Sequence, residues 1–214
     1  MNSITLDNIL PLAFAVDTSS PGDIWGRRVV FDRGCRVRVE ASSGSGKTTL
    51  CAFLTGMRSD FSGQLLFDGV LSASFSSRRW SDLRRDTIAW LPQDMGLFPQ
   101  LTLRENILLK NSLTRHRSAS WIAGVCDRLG IGECLDRSVT LMSLGQQQRG
   151  ALVRALCQPF DFLLLDEPVS HLDAACNSAM ARLVDEELSA SGAGLILTSV
   201  GQHLDIKVDK RLRL

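Results

Sequence analysis

The stretch Ala41–Thr49 reads ASSGSGKTT, and its residue types and spacing suit it to holding phosphate. The usual pattern is G-x-x-x-x-G-K-S/T; Gly46, Lys47 and Thr48 match it, while Ala41 stands where the first glycine is expected. Glycines let successive backbone N–H groups curl around phosphate oxygens, and the following helix turns its positive end toward them. Lys47 would neutralise charge on the outer phosphates, and the Thr48 hydroxyl would hold Mg²⁺. Ala41 falls at the end of the preceding strand, outside the part that wraps phosphate, so its methyl group only restricts φ and ψ there.

A second group of chemical residues closes the apolar run FDFLLLDEP. A carboxylate at the end of a buried strand beside a phosphate loop is placed to ligate a Mg²⁺-bound water, which suits Asp166. Glu167, next to it, would polarise an attacking water. Alone, the two acids would read as solvated turn residues and the lysine as part of a polar loop. Together they specify a nucleoside triphosphatase.

These residues need strands and helices to position them. RVRVEA alternates and runs into the glycine loop, so it is expected to be a strand, with TTLCAFLTGM as the helix after it. GQLLFDG is a short strand closed by Asp68-Gly69, a hairpin-type turn signal. TIAWLPQ, from Thr87 to Gln93, is a strand stopped by Pro92. From about Leu101 to Leu141 the pattern turns helical, in TLRENILLKN, SWIAGVCDRLG and ECLDRS. SLGQQQRGALVRALCQ is a further helix with Ser143 as its N-cap. FDFLLLDEP is a continuous apolar run, as expected of a buried parallel strand. ACNSAMARLVDEELSASG reads as helix, and GLILTS and VDKRLRL as strands. Strands alternating with helices around a helical insertion indicate an α/β fold with a parallel sheet.

Composition sets outer limits. The 214 residues suit one large domain or one domain with an inserted subdomain. The chain is 44% hydrophobic and 22% charged with a net charge of +1, which gives no case for nucleic acid or anionic membrane as a partner. The scattered cysteines include no C-x-x-C pair and are expected to be reduced thiols. MNSITLDNIL lacks the basic start and small-residue cleavage site of a secretory signal. ILPLAFAV and FLLLD, the longest apolar runs, fall far short of the roughly 20 residues that cross a bilayer. A role at a membrane would need another chain to span it.

Over nearly its whole length the chain resembles the ATP-binding cassette (ABC) ATPase family. GCRVRVEASSGSGKTTLCAFLTGMRSDFSGQLLFDG is similar to the family's first strands and phosphate loop, including Gly34, and IAWLPQDMGLFPQLTLRENI to its glutamine-loop region, with Gln93 as the glutamine. MSLGQQQRGALVRAL resembles the signature L-S-G-G-Q followed by Q-R, and LLLDEPVSHLD combines the acidic strand with the loop Ser170–Asp173. Four motifs in order are far more specific than any one.

The resemblance implies a P-loop fold of the ABC type: a mostly parallel core sheet, an N-terminal antiparallel β subdomain and an inserted helical subdomain. The core would cover about 1–93 and 146–214, and the insertion about 94–145. ATP and Mg²⁺ are the implied cofactors. Ser42, Ser43, Gly44, Ser45, Gly46, Lys47, Thr48 and Thr49 would form the cradle, with Thr48, Gln93 and Asp166 toward the metal. Glu167, Gln93 and Lys47 would be catalytic. Ser143, Gly145 and Gln146 would act in trans, on the γ-phosphate of an opposing subunit. The family works as a head-to-tail dimer with two ATP molecules between the subunits, and the second cassette would be the same or a different chain.

Three departures stand out. Leu144 replaces the first signature glycine. Ser199 falls where the family's γ-phosphate histidine is expected, and His203, four residues later, is expected at the surface. With no tyrosine in the chain, an adenine-stacking aromatic would be Phe14 or Trp25 unless these are core. The leading expectation is a cytoplasmic ATPase subunit, peripheral on the inner face of the membrane through a separate permease, with LFPQLTLRENI lining the docking groove. No extension beyond RLRL and no nucleic acid partner are expected. The alternatives are a soluble, non-transport ABC ATPase, or a regulatory cassette that binds ATP and hydrolyses it weakly.

Overall fold

The structure, a computed structural model, describes residues 1–12, 22–42 and 44–214. Alternating buried and outward residues form the first two strands, β1 (Ser3–Pro11) and β2 (Arg28–Asp32). β3 (Arg36–Glu40) follows and leads through the glycine loop into α1 (Lys47–Leu54). β4 (Phe61–Phe67) and β5 (Val70–Leu71) form a tight hairpin. Its turn residues Asp68 and Gly69 have φ of 49° and 77°, left-handed values that match the turn to the twist of its strands. α2 (Ser77–Asp86) then leads into β6 (Ile88–Leu91).

The helical stretch comprises α3 (Leu103–Asn111) and α4 (Ala119–Arg128). Thr102 and Glu105 close a reciprocal cap at the start of α3, and Ser118 caps α4. ECLDRS, expected to be helical, is not a further helix: a single 3₁₀ turn covers Gly132–Cys134. Cys134 and Leu135 are buried against the core, but the segment is too short to sustain a helical stripe. α5 (Leu144–Ala155) starts at Ser143 as its sequence predicts, and β7 (Phe162–Asp166) follows. α6 (Ala174–Ser191), capped by Asp173 and ended by Gly192 at φ 63°, precedes β8 (Gly194–Ser199) and β9 (Lys210–Arg213).

Two sheets result. The antiparallel one has the order β2-β1-β4-β5 and the other β6-β7-β8-β3-β9. Every pairing in the second sheet is parallel. β7 and β8 are buried on both faces, which is why FLLLD and GLILTS read as unbroken apolar runs. One face carries Leu163, Leu165, Leu195 and Leu197 into a core shared with α5 and α6. The other carries Val37, Val39, Leu164 and Ile196 into a core shared with α1 and the antiparallel sheet. With both faces held, the ends of β3, β7 and β8 form a fixed platform for the loops beyond them.

Candidate active site

The loop between β3 and α1 owes its shape to two left-handed glycines, Gly44 at φ 80° and Gly46 at φ 99°. A Cβ at either position would be strained. Among the described residues no side chain caps α1, so its first-turn N–H groups stay available to a ligand. The Ser42 carbonyl gathers the loop: it accepts from Ser45 Oγ at 2.8 Å and from Lys47 Nζ at 2.9 Å. Trp25 donates its indole N–H to the Ser45 carbonyl at 3.3 Å. It is only 7% exposed and packs edge-on to Phe53 at 6.2 Å, so it braces the loop from below and offers no face for adenine. Phe14 and Ser43 lie outside the described residues.

Lys47, 5% exposed, stands 3.4 Å from Glu167 Oε1. Thr48 Oγ1 donates to Gln93 Oε1 at 3.2 Å, bringing the residue after the lysine to the end of β6. Gly44, Gly46, Lys47, Thr48, Gln93 and Glu167, together with Thr49, line one open cavity of about 320 Å³. Asp166 lies beneath, 1% exposed. Its Oδ1 accepts from Thr198 Oγ1 at 2.5 Å, while Oδ2 is buried with no partner among the described residues. Burial raises the Asp166 carboxyl above its ordinary value; the hydrogen bond from Thr198 and the nearby Thr48 hydroxyl act against this, Glu167 adds to it, and Lys47 opposes it.

Glu167 sits at φ 50°, left-handed backbone that is rare outside glycine. Its N–H donates to the Thr198 carbonyl at 3.2 Å, and its own carbonyl accepts from Gln148 Nε2 at 3.1 Å. The Gln148 Oε1 accepts from the His171 N–H at 3.4 Å, so one side chain of α5 grips the loop after β7 at two points. Sequence reasoning gave no role to Gln148 or Thr198. The signal for Gln148 was a polar residue on the side of α5 that faces the core, where it is 3% exposed.

The signature residues bond to one another. Ser143 Oγ accepts from the Gln146 N–H at 3.2 Å, and Gln146 Oε1 accepts from the Ser143 N–H at 2.9 Å. A Cβ on Gly145 would lie 3.0 Å from the His171 carbonyl, so glycine is needed for the loop to pack there. Among the described residues none of these bonds reaches the phosphate cradle of the same chain. Leu144 is 53% exposed, pointing away from the core. Ser199 is 4% exposed at the end of β8, its carbonyl accepting from the Ala41 N–H at 3.4 Å. His203 is exposed, as expected, with its carbonyl held by Asn177 Nδ2 at 3.0 Å.

A phosphate cradle, an acidic strand end and a signature turn thus share one scaffold, and the family model for ABC transporter matches residues 29–170. The chain belongs to the ABC transporter ATP-binding family. It is similar to the uncharacterized ABC transporter ATP-binding protein YbbA of Escherichia coli K12, 32% identical over 192 residues that cover 88% of this chain and 84% of that one. It is also similar to the lipoprotein-releasing system ATP-binding protein LolD of Shewanella denitrificans, 28% identical over 185 residues, covering 85% and 79%. The fold matches the dimeric bacterial ABC transporter cassette MJ0796 with a TM-score of 0.75 at 22% identity, covering 91% and 87% of the two chains. As an ABC cassette the chain is an ATPase, the ATP-binding and ATP-hydrolysing subunit of a transporter-type complex. Among the described residues no helix is long and apolar enough to cross a membrane.

Proposed function

We propose that the chain cleaves ATP in a head-to-tail pair of cassettes and passes the closing motion to a separate transmembrane permease. The observation that carries this is the single cavity shared by Lys47, Thr48, Gln93 and Glu167 above the buried Asp166. Lys47 would pair with the β- and γ-phosphates, and the N–H groups around Ser42, Ser43, Gly44, Ser45, Gly46 and Thr49 would wrap them. Glu167 would polarise the attacking water.

The residues fit Mg²⁺. Asp166 Oδ2 is a buried acceptor with no partner, and Thr48 and Gln93 bring two more oxygens together nearby. Among the described residues no three His, Cys, Asp or Glu side chains form a metal cluster, which suits a cation held by few protein oxygens plus substrate phosphates. Bound there, Mg²⁺ would neutralise charge on the outer phosphates. Thr48, Gln93 and Asp166 would hold it, with the Thr198 hydroxyl fixing the Asp166 carboxylate.

Among the described residues Ser143 and Gln146 bond to each other and not to the cradle of their own chain, which supports the use of Ser143, Gly145 and Gln146 in trans on the γ-phosphate held by a second cassette, of the same or another sequence. We assign the core to about 1–93 and 146–214 and the helical insertion to about 94–145. The groove around LFPQLTLRENI, with Phe98 46% and Leu109 47% exposed, would receive the permease at the inner face of the membrane.

Co-purification from detergent-solubilised native membranes tests this: a permease should accompany the chain, and its absence counts against the reading. A second reading, a cassette that holds ATP but turns it over slowly, draws on Ser199. ATPase turnover of Ser199→His separates the two, since only a slow cassette gains from the added imidazole.

A further inference from the structure

With serine at position 199, the proposed reaction lacks one donor at the outer phosphate, and another histidine stands on the surface that would face it. The chain has three histidines. His116 lies between α3 and α4, and His203 sits with its ring Nδ1 3.4 Å from the Gly201 carbonyl. His171 is different. It is exposed, four residues after Glu167, and its backbone is tied to Glu167 through Gln148.

A chain of hydrogen bonds also accommodates the tautomer that carries the ring proton on Nε2. Gln148 Nε2 donates to Ser170 Oγ at 3.4 Å. The Ser170 hydroxyl proton is then free to go to His171 Nδ1 at 2.9 Å. An Nδ1 that accepts leaves the proton of the neutral ring on Nε2. Among the described residues no protein group bonds that Nε2. In that tautomer His171 presents an unused N–H donor at a fixed point of the loop.

Its position relative to the signature decides where that donor is used. The His171 carbonyl packs so closely on Gly145 that a Cβ there would come to 3.0 Å. His171 therefore shares the exposed surface of Ser143 at the start of α5. We propose that His171 donates its Nε2–H to the terminal phosphate bound by the opposing cassette, supplying the imidazole donor that position 199, a serine, does not carry. This rests on the head-to-tail arrangement above; Ser170 and Gln148 act as positioning residues.

The test uses the full chain with Mg-ATP. His171→Ala should lower kcat on the order of 10²-fold with KM changed by less than about twofold, as for loss of a donor used in the transition state. His171→Gln, which keeps an N–H donor, should recover part of that loss. Mixing Lys47→Ala chains with His171→Ala chains should restore activity that neither has alone, because one site then draws an intact Lys47 from one chain and His171 from the other. An unchanged kcat in His171→Ala overturns the proposal, and failure of the mixture overturns the placement in trans. Glu167→Gln provides the control: if it forms no ATP-dependent dimer in light scattering, the head-to-tail pairing of two copies of this chain fails, whatever His171 does.

Discussion

The Lys47 ammonium lies 3.4 Å from Glu167 Oε1, so the cradle's cation and its acid hold each other before any phosphate arrives. Both are largely buried, at 5% and 18% side-chain exposure, where charges interact more strongly than at the surface. In the proposed reaction a triphosphate would take Lys47 from Glu167, and Glu167 would be freed as that happens.

Replacing Glu167 with Gln removes the competitor for Lys47 and a negative charge facing the phosphates. ATP affinity should rise several-fold while hydrolysis falls by about 10²-fold or more, the scale of a lost general base. Equilibrium binding of a labelled ATP and steady-state phosphate release check the two halves separately.

Asp166 yields a prediction of opposite sign for stability and activity. A carboxyl whose folded pKa lies above its unfolded value costs stability at neutral pH, and the cost vanishes as pH falls through the raised value. Asp166→Asn should therefore raise the nucleotide-free Tm at pH 7 by about 2–4 °C, the shift for roughly 1 kcal/mol in a chain of this size. It should abolish ATPase activity. Melting curves of the two proteins should converge below about pH 4, where both carboxyl states are protonated.

Trp25→Phe keeps the apolar body beneath the loop and deletes the N–H that reaches the Ser45 carbonyl. Loss of that bond should cost about 1 kcal/mol and weaken ATP binding several-fold without changing kcat at saturation. Calorimetric titration and saturating ATPase assays report each effect.

Lys110, on α3, is pushed down to about 8 by burial and by the charges of Arg154 and Arg84, with Asp86 acting the other way. A lysine whose folded pKa lies below its unfolded value carries its full stability cost below that lower value, and the cost fades as pH rises toward the unfolded value. Lys110→Met should thus raise Tm at pH 7 by about 2–4 °C. The gain should disappear above about pH 10.5, where wild-type Lys110 is neutral in both states.

The central sheet was legible because its middle strands β7 and β8 are buried on both faces and leave unbroken apolar runs, as in FLLLD. The phosphate loop and acidic pair were legible from spacing alone. α2 was not: SRRWSDLRRD buries no residue fully, so no apolar stripe announces it, and only the Ser76 cap marks its start. ECLDRS misled because its apolar residues pack from a single turn. Trp25 could not be told from a stacking aromatic, since both uses want the same side chain and only burial separates them. The Lys47–Glu167 pair and the Gln148 clamp join residues more than a hundred and about twenty positions apart, beyond the reach of local pattern.

Strand order has a consequence for how this protein is made. β3, which carries the phosphate loop, pairs with β8 and β9, so that Val39 lies beside Thr198 on one side and Leu212 on the other. During synthesis the cradle leaves the ribosome early, but both of its neighbouring strands emerge more than 150 residues later. A nascent chain holding α1 and β3 alone has no platform for the loop, and ATP cannot act as a folding ligand until β8 is out. The newly made cassette thus stays unable to capture nucleotide until the nucleotide site and the surface that would meet its partner are both built.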